Sequence, residues 1–234
     1  MRKGHLAIVF ILFLVCNHMD VFVCQQEYRK IEAEKERIEE SLLYAVNAAA
    51  IELTSVMEET DETKLYTYRE SFFRALYVRM GIAGVEEEQE KMKLHFPLLA
   101  FLTEEGGYFF YTEKTIVNGS WSWEQKWSRK IPYLLTGEKE MDQKILKEYL
   151  EKHVGKIITN HNYIAEQYGI EYEFFVPHFM VDEKEELTLP MMIVVFQGWP
   201  LERNRAQFYE NCIDAGAYIK RLDDDGNFDS SFLK

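Results

Sequence analysis

LAIVFILFLVCNHMDVFVCQQEYRKIEAEKERIEESLLYAVNAAAIELTSV, from Leu6 to Val56, passes from an apolar run into a charged segment and then an alanine-rich one. Neither glycine nor proline interrupts it, so the stretch predicts one long helix. Leu6 to Cys16 is continuously apolar, Asn17 to Asp20 interrupt, and Val21 to Cys24 resume. Taken as one span, Leu6 to Cys24 has about the 20 residues that a bilayer demands, with Asp20 near one end where its charge costs least. The expectation is an uncleaved single-pass anchor over residues 1–24. Arg2 and Lys3 then stay in the cytoplasm and the bulk of the chain lies outside the cell membrane. The alternative is secretion after signal cleavage, which calls for a small-x-small site beyond the apolar core. A lipoprotein signal is disfavoured, because Cys16 follows Leu14 and Val15 and Cys24 follows Phe22 and Val23, none of them small.

Past the anchor, opposite charges stand three apart, as in Glu32 with Lys35 and Glu34 with Arg37, and support a solvated helical stalk over residues 25–60. Its apolar positions fall mostly at helical spacing and form one narrow stripe. Leu42, Ala45, Ala49 and Val56 are the expected contact residues of that stripe. Two uses stay open: packing on the chain's own domain, or a seam for other subunits that small side chains let approach closely.

The formal net charge of -13, from 27 basic and 40 acidic residues, leaves no basic stripe for a phosphate backbone, so nucleic acid is not an expected partner. Three cysteines make no disulfide framework. A hydrophobic fraction of 47% suffices for one folded domain.

Residues 65–80 repeat Phe73, Leu76, Tyr77 and Met80 at helical spacing and end at Gly81, which predicts a second helix. Residues 85–94 begin with acids and end with lysines, as the helix dipole favours. The period then changes. Phe96 to Leu102, a turn at Glu104 to Gly107, and Tyr108 to Thr112 predict a hairpin. A further strand at Thr115 to Val117, with Asn118-Gly119 as a tight turn, leads into Ser120 to Trp123. Met141 to Tyr168 predicts a long helix stopped by Gly169, with Ile145, Leu146, Tyr149, His153, Ile157, His161 and Ile164 near one face. Ile170 to Val176 and Leu189 to Phe196 read as strands, the second nearly all apolar and so central, and joined by the acidic link at Asp182 to Glu186. Gln197 to Pro200 breaks that pattern, Arg203 to Ile219 reads as a last helix, and Asp223 to Lys234 as a polar tail. The fold class expected is α+β: the N-terminal transmembrane helix continuing into a long amphipathic helix, then a mainly antiparallel sheet with packed helices over residues 61–222.

Candidate chemistry is sparse. Trp121, Trp123 and Trp127 could offer flat rings to a sugar or peptide, or cover one face of a packed hairpin. Glu104 or Glu105 with Asp182 is nominally a hydrolase pair, but any chain with 40 acids offers such pairs. His153 and His161 lie eight apart, two helical turns, unlike the four-residue spacing of a zinc helix. The run Asp223 to Gly226 fails as a calcium loop, since setting Gly226 at the loop's invariant glycine puts Arg221 and Phe232 where its end acids belong. The expected catalytic, cofactor and metal residues are therefore none.

The basic leader, the apolar helix running into an amphipathic one with AVNAAAIELT, and the α+β domain after it resemble pilin-like and tight-adherence minor-pilin-like subunits of bacterial envelope assemblies. The likeness is one of layout over the N-terminal quarter. It implies a non-enzymatic membrane protein whose partners are the membrane and other subunits, or copies of itself, met through the helix. A membrane-anchored ligand-binding or sensor domain using the tryptophan surface is the alternative.

Overall fold

The computed structural model describes residues 2–49, 63–117, 120–177, 186–200, 212–221 and 228–232, and for residues 2–17, 20, 27, 114, 115, 117, 120–122, 212–221 and 228–232 the backbone alone. The chain falls into two compact units, Met1–Arg37 and Ile38–Lys234. The stalk expected over 25–60 is thus divided between them, and Val56 lies outside the described residues.

Helix α1, Arg2–Ala48, is continuous through the apolar run. In the first unit Arg37 donates to Glu34 at 2.5 Å, one turn back. Met19, Val21, Phe22 and Val23 are between 49% and 63% exposed. Among the described residues no helix is long and apolar enough to cross a membrane; most of the apolar run's side chains, those up to Asn17, lie outside them. In the second unit Ile38, Leu42, Ala45, Val46 and Ala49 are buried at spacings of three and four.

The second unit is α+β. Helices α2 (Thr63–Met80), α3 (Glu86–Lys93) and α4 (Lys139–Gln167) accompany strands β1 (Leu98–Leu102), β2 (Gly106–Val117), β3 (Ser120–Trp127), β4 (Ile131–Pro132), β5 (Met191–Pro200), β6 (Cys212–Arg221) and β7 (Phe228–Phe232). The sheet runs β3-β2-β1-β5-β6-β7, with β4 beside β2, and every pairing is antiparallel. The central pair β1 and β5 is buried on both faces, which is why their sequences are apolar without alternation. Leu98, Ala100 and Leu102 of β1 and Met191, Ile193 and Val195 of β5 join Leu146, Leu150, Val154 and Ile158 of α4 in one core. The intervening residues point the other way. There Phe96, 4.9 Å from Phe196, meets Phe72 and Phe73 of α2 edge-on, and Trp127 donates its Nε1 to the Leu65 carbonyl at 3.1 Å.

Several expectations need correction. Gly106 and Gly107 belong to β2, and the turn is Thr103 to Glu105, closed by Thr103 N–H to Gly106 O at 2.9 Å. The reason is crowding: a Cβ on Gly106 would stand 2.5 Å from Ile131 O of β4, and one on Gly107 2.9 Å from Tyr149 Oη. Thr115 to Val117 is the continuation of β2 and no separate strand. Val117 pairs with Ser120, so a two-residue connection stands between them; Asn118 and Gly119 themselves lie outside the described residues. The buried stripe of α4 is centred on Leu146, Leu150, Val154 and Ile158, whereas Ile145, His153 and Ile157 are its half-buried shoulder. The helix does end at Gly169, where Gly169 N–H reaches Glu166 O and Ile170 N–H reaches Ala165 O, both at 3.0 Å.

The last helix expected over Arg203 to Ile219 is absent from residues 212–219, which belong to β6, and the polar tail contains β7. Strand β5 is the physical cause. It is pinned by β1 on one edge, and its other edge needs a partner for its backbone groups, which β6 supplies from Met191↔Lys220 to Pro200↔Cys212. Strand β5 also continues through Gln197 to Pro200, with its register shifting between Phe196 and Trp199, so that stretch bulges the strand without ending it.

Ile170 to Val176 is extended but forms no strand. Its hydrogen bonds go to side-chain amides. Asn162 of α4 accepts from Phe174 N–H at 2.7 Å and donates to Phe174 O at 2.9 Å; Gln197 of β5 does the same for Phe175, both at 3.2 Å. Gln143 grips Leu187 in the same two-point way, at 2.8 and 2.7 Å. Each carboxamide stands in for one residue of a neighbouring strand. Asn162→Ala should therefore cost about 2 kcal/mol in urea unfolding, from two lost hydrogen bonds and a partly buried N–H and C=O left without partners.

Candidate functional site

Two of the three tryptophan side chains are described, and they have different surroundings. Trp127 is 7% exposed, with its ring centroid 5.5 Å from that of Phe110, and so belongs to the core. Trp123 is half-buried and meets Tyr163 of α4 edge-on at 6.3 Å. The side chain of Trp121 lies outside the described residues. The stripe residues Leu42, Ala45 and Ala49 are each 0% exposed within their own unit.

The nominated acids and histidines each have their own partners where they are described. Glu104 and Glu105 sit exposed at the hairpin turn, where Lys130 pairs with Glu105 at 2.7 Å and holds its carboxyl below the usual range. Asp182 lies outside the described residues. His153 packs on Tyr149 and Phe109, and burial, followed by Lys152 and Lys156, lowers its pKa. His161 is buried, with Nε2 2.7 Å from the Leu94 carbonyl. Among the described residues no group of three or more His, Cys, Asp or Glu could hold a metal ion.

A groove that sequence patterning did not single out runs between α2, the turn after it, α3 and β3. Its volume is about 360 Å³. Helical spacing builds its floor: Arg69, Phe73 and Tyr77 follow one another at four-residue steps along α2, and the Phe73 and Tyr77 rings stack at 5.7 Å with planes 28° apart. Arg69 rests its guanidinium 5.3 Å above the Phe110 ring, and its nearest carboxylate, Glu70, is 3.9 Å away. Lys93 enters from α3, paired to Glu90 at 2.5 Å. Arg74 lines the wall, exposed, and makes no ion pair among the described residues. Gln125 of β3 and Gln89 of α3 complete the rim, Gln89 held by its Nε2 on Ile82 O at 3.0 Å.

Burial, reinforced by Glu90 and opposed by Arg69, raises the Tyr77 pKa. Its hydroxyl therefore stays protonated at neutral pH and donates to the Gln89 carbonyl at 3.5 Å. The groove thus joins three cationic side chains, one carboxylate and two amides over an apolar floor, which suits binding, and among the described residues that line it no nucleophile is paired with a base. The helical period that makes α2 amphipathic was its one sequence signal, since the residues flanking a core stripe are those that line a groove beside it.

No protein family, curated protein or solved structure matches the chain.

Proposed function

We propose that the chain is a single-pass, membrane-anchored, non-enzymatic envelope protein whose globular unit is an extracytoplasmic ligand-binding domain. The observation that carries this reading is the continuity of α1. One helix holds both the Leu6 to Cys24 run and the residues Ile38, Leu42, Ala45, Val46 and Ala49 that enter the second unit's core. An apolar helical stretch of that length rises about 28 Å, close to a hydrocarbon core. The exposed Met19, Val21, Phe22 and Val23 fit a segment whose solvent is lipid.

Of the two modes of action that the layout suggests, ligand capture has the better support. The groove is built from oriented side chains, whereas Leu42, Ala45 and Ala49 already pack inside their own unit. Assembly with other subunits, as in pilin-like proteins, would have to use the part of α1 before Ile38.

Protease treatment of intact cells, followed by N-terminal sequencing of the membrane-bound protein, tests the reading. The expected result is loss of the globular unit to external protease, with the leader and apolar run retained in the membrane. A soluble product beginning beyond Cys24 would overturn the anchor.

A further inference from the structure

We propose that the groove along α2 and α3 binds a small organic anion, a carboxylate or phosphate head on a small apolar body. The inference rests on the ligand-binding reading above and names the chemistry of its ligand. Charge is the first argument. The whole chain carries -13, yet Arg69, Arg74 and Lys93 line one concavity, facing Glu70 within it and Glu90 at Lys93. This local excess of positive charge is what a negative ligand would complete.

Orientation is the second argument. Arg69 is stacked on Phe110, so its planar fork is fixed before a ligand arrives, and little side-chain entropy remains to be lost. Arg74 lies one residue beyond Phe73 and supplies a second fork at the wall. Two guanidinium groups, with the Lys93 ammonium beside them, offer the charged donors that carboxylates and phosphates accept. Size and floor are the third. The volume of 360 Å³ admits a ligand at the small end of the range for such sites, and Phe73, Tyr77, Val78 and Ala83 in its lining give that ligand an apolar surface.

The test is calorimetric titration of the full chain in detergent micelles with phenyl phosphate, benzoate and the neutral analogue benzyl alcohol. One phenyl phosphate or benzoate per chain should bind saturably and more tightly than benzyl alcohol, and the tighter of the two names the head group. Arg74→Gln, an exposed substitution that leaves the fold intact, should weaken the anion about tenfold, the worth of a hydrogen bond to a charged group. Lys93→Gln provides a second, independent variant and should weaken it less, because Glu90 already holds Lys93. Benzyl alcohol binding as tightly as the anions, or wild-type affinity in both variants, would overturn the anion assignment and leave the groove a ligand site. Absence of saturable binding by all three would overturn the ligand-binding reading with it.

Discussion

Between pH 7 and pH 4 the globular unit is expected to lose about 6 kcal/mol of stability, seen as a falling urea midpoint, because two buried histidines must charge on unfolding. His95 sits where β1 meets the end of β5, its Nδ1 donating to Gln197 O at 3.0 Å and its ring 5.0 Å from Trp199 and 6.1 Å from Phe196. His161 lies beneath the Phe174 ring, 4.6 Å away, and donates to Leu94 O. Burial pushes each pKa from 6.5 down to about 4, against the modest upward pull of the carbonyl each one meets, and His161 depresses His95 further. Among the described residues no carboxylate acts on either ring. In the unfolded chain both take up protons below about 6.5, whereas in the folded state they resist until about 4. The unfolded state therefore binds more protons within that window. The stabilisation is complete above the window and is lost as pH falls through it, about 3 kcal/mol for each histidine at about 1.4 kcal/mol per pH unit.

A domain stable by about 5–15 kcal/mol would approach its limit near pH 4. Glu105 and Asp142, whose carboxyl groups are held below the usual range, also lose their advantage in acid, but only below their ordinary values of 4.5 and 3.8. The slope between pH 6.5 and 5 belongs to the histidines, chiefly His95 and His161, with the half-buried His153 adding to it in the same direction. His161→Phe should be less stable at pH 7, because Leu94 O loses its donor, yet its slope should be clearly shallower, since the variant loses one buried histidine and the depression that His161 exerts on His95. An equal slope in the variant, or a flat profile in the wild type, would contradict the assignment.

The second unit shows which parts of such a fold can be read from one sequence. Helices α2, α3 and α4 and the central strand β5 were legible, since each has its own period or a two-sided apolar run with breakers at its ends. Failures came where a segment's state is set by distant partners. CIDAGAYIKR is neither a strong helix former nor a strand former, and it becomes β6 because the edge of β5 is open. Ile170 to Val176 has the composition of a strand, but its hydrogen bonds come from single amides 12 and 22 residues away, which no local pattern announces. The groove was hidden for a related reason: Arg69 and Arg74 look like the solvated face of any amphipathic helix until α3 and β3 are set beside them. Burial at Trp127 was hidden in the opposite sense. The even spacing of Trp121, Trp123 and Trp127 puts their backbone positions on one face, but Trp127 lies under α2 and is covered.

Gly198→Val is expected to cost about 3–5 kcal/mol, because two separate penalties meet at one residue. The backbone there has φ of +71°, in the left-handed region, at the point where β5 bulges between Phe196 and Trp199. A side chain in that conformation costs about 1–2 kcal/mol whatever surrounds it. The second penalty is collision, for a Cβ on Gly198 would stand 2.5 Å from Tyr172 Cδ1 and 2.6 Å from Cγ. Tyr172 cannot simply yield: its ring meets Phe174 edge-on at 5.0 Å, and Phe174 is held by Asn162 and packed on His161. Forcing the ring away strains the segment that the amides grip, an overpacking cost of about 1–3 kcal/mol. The two contributions separate in a double-mutant cycle. In a Tyr172→Ala background the collision is gone and only the backbone strain remains, so Gly198→Val should then cost about 1–2 kcal/mol. Equal costs in both backgrounds would mean that Tyr172 does not rest on the bare backbone, and the bulge would then need its glycine for conformation alone.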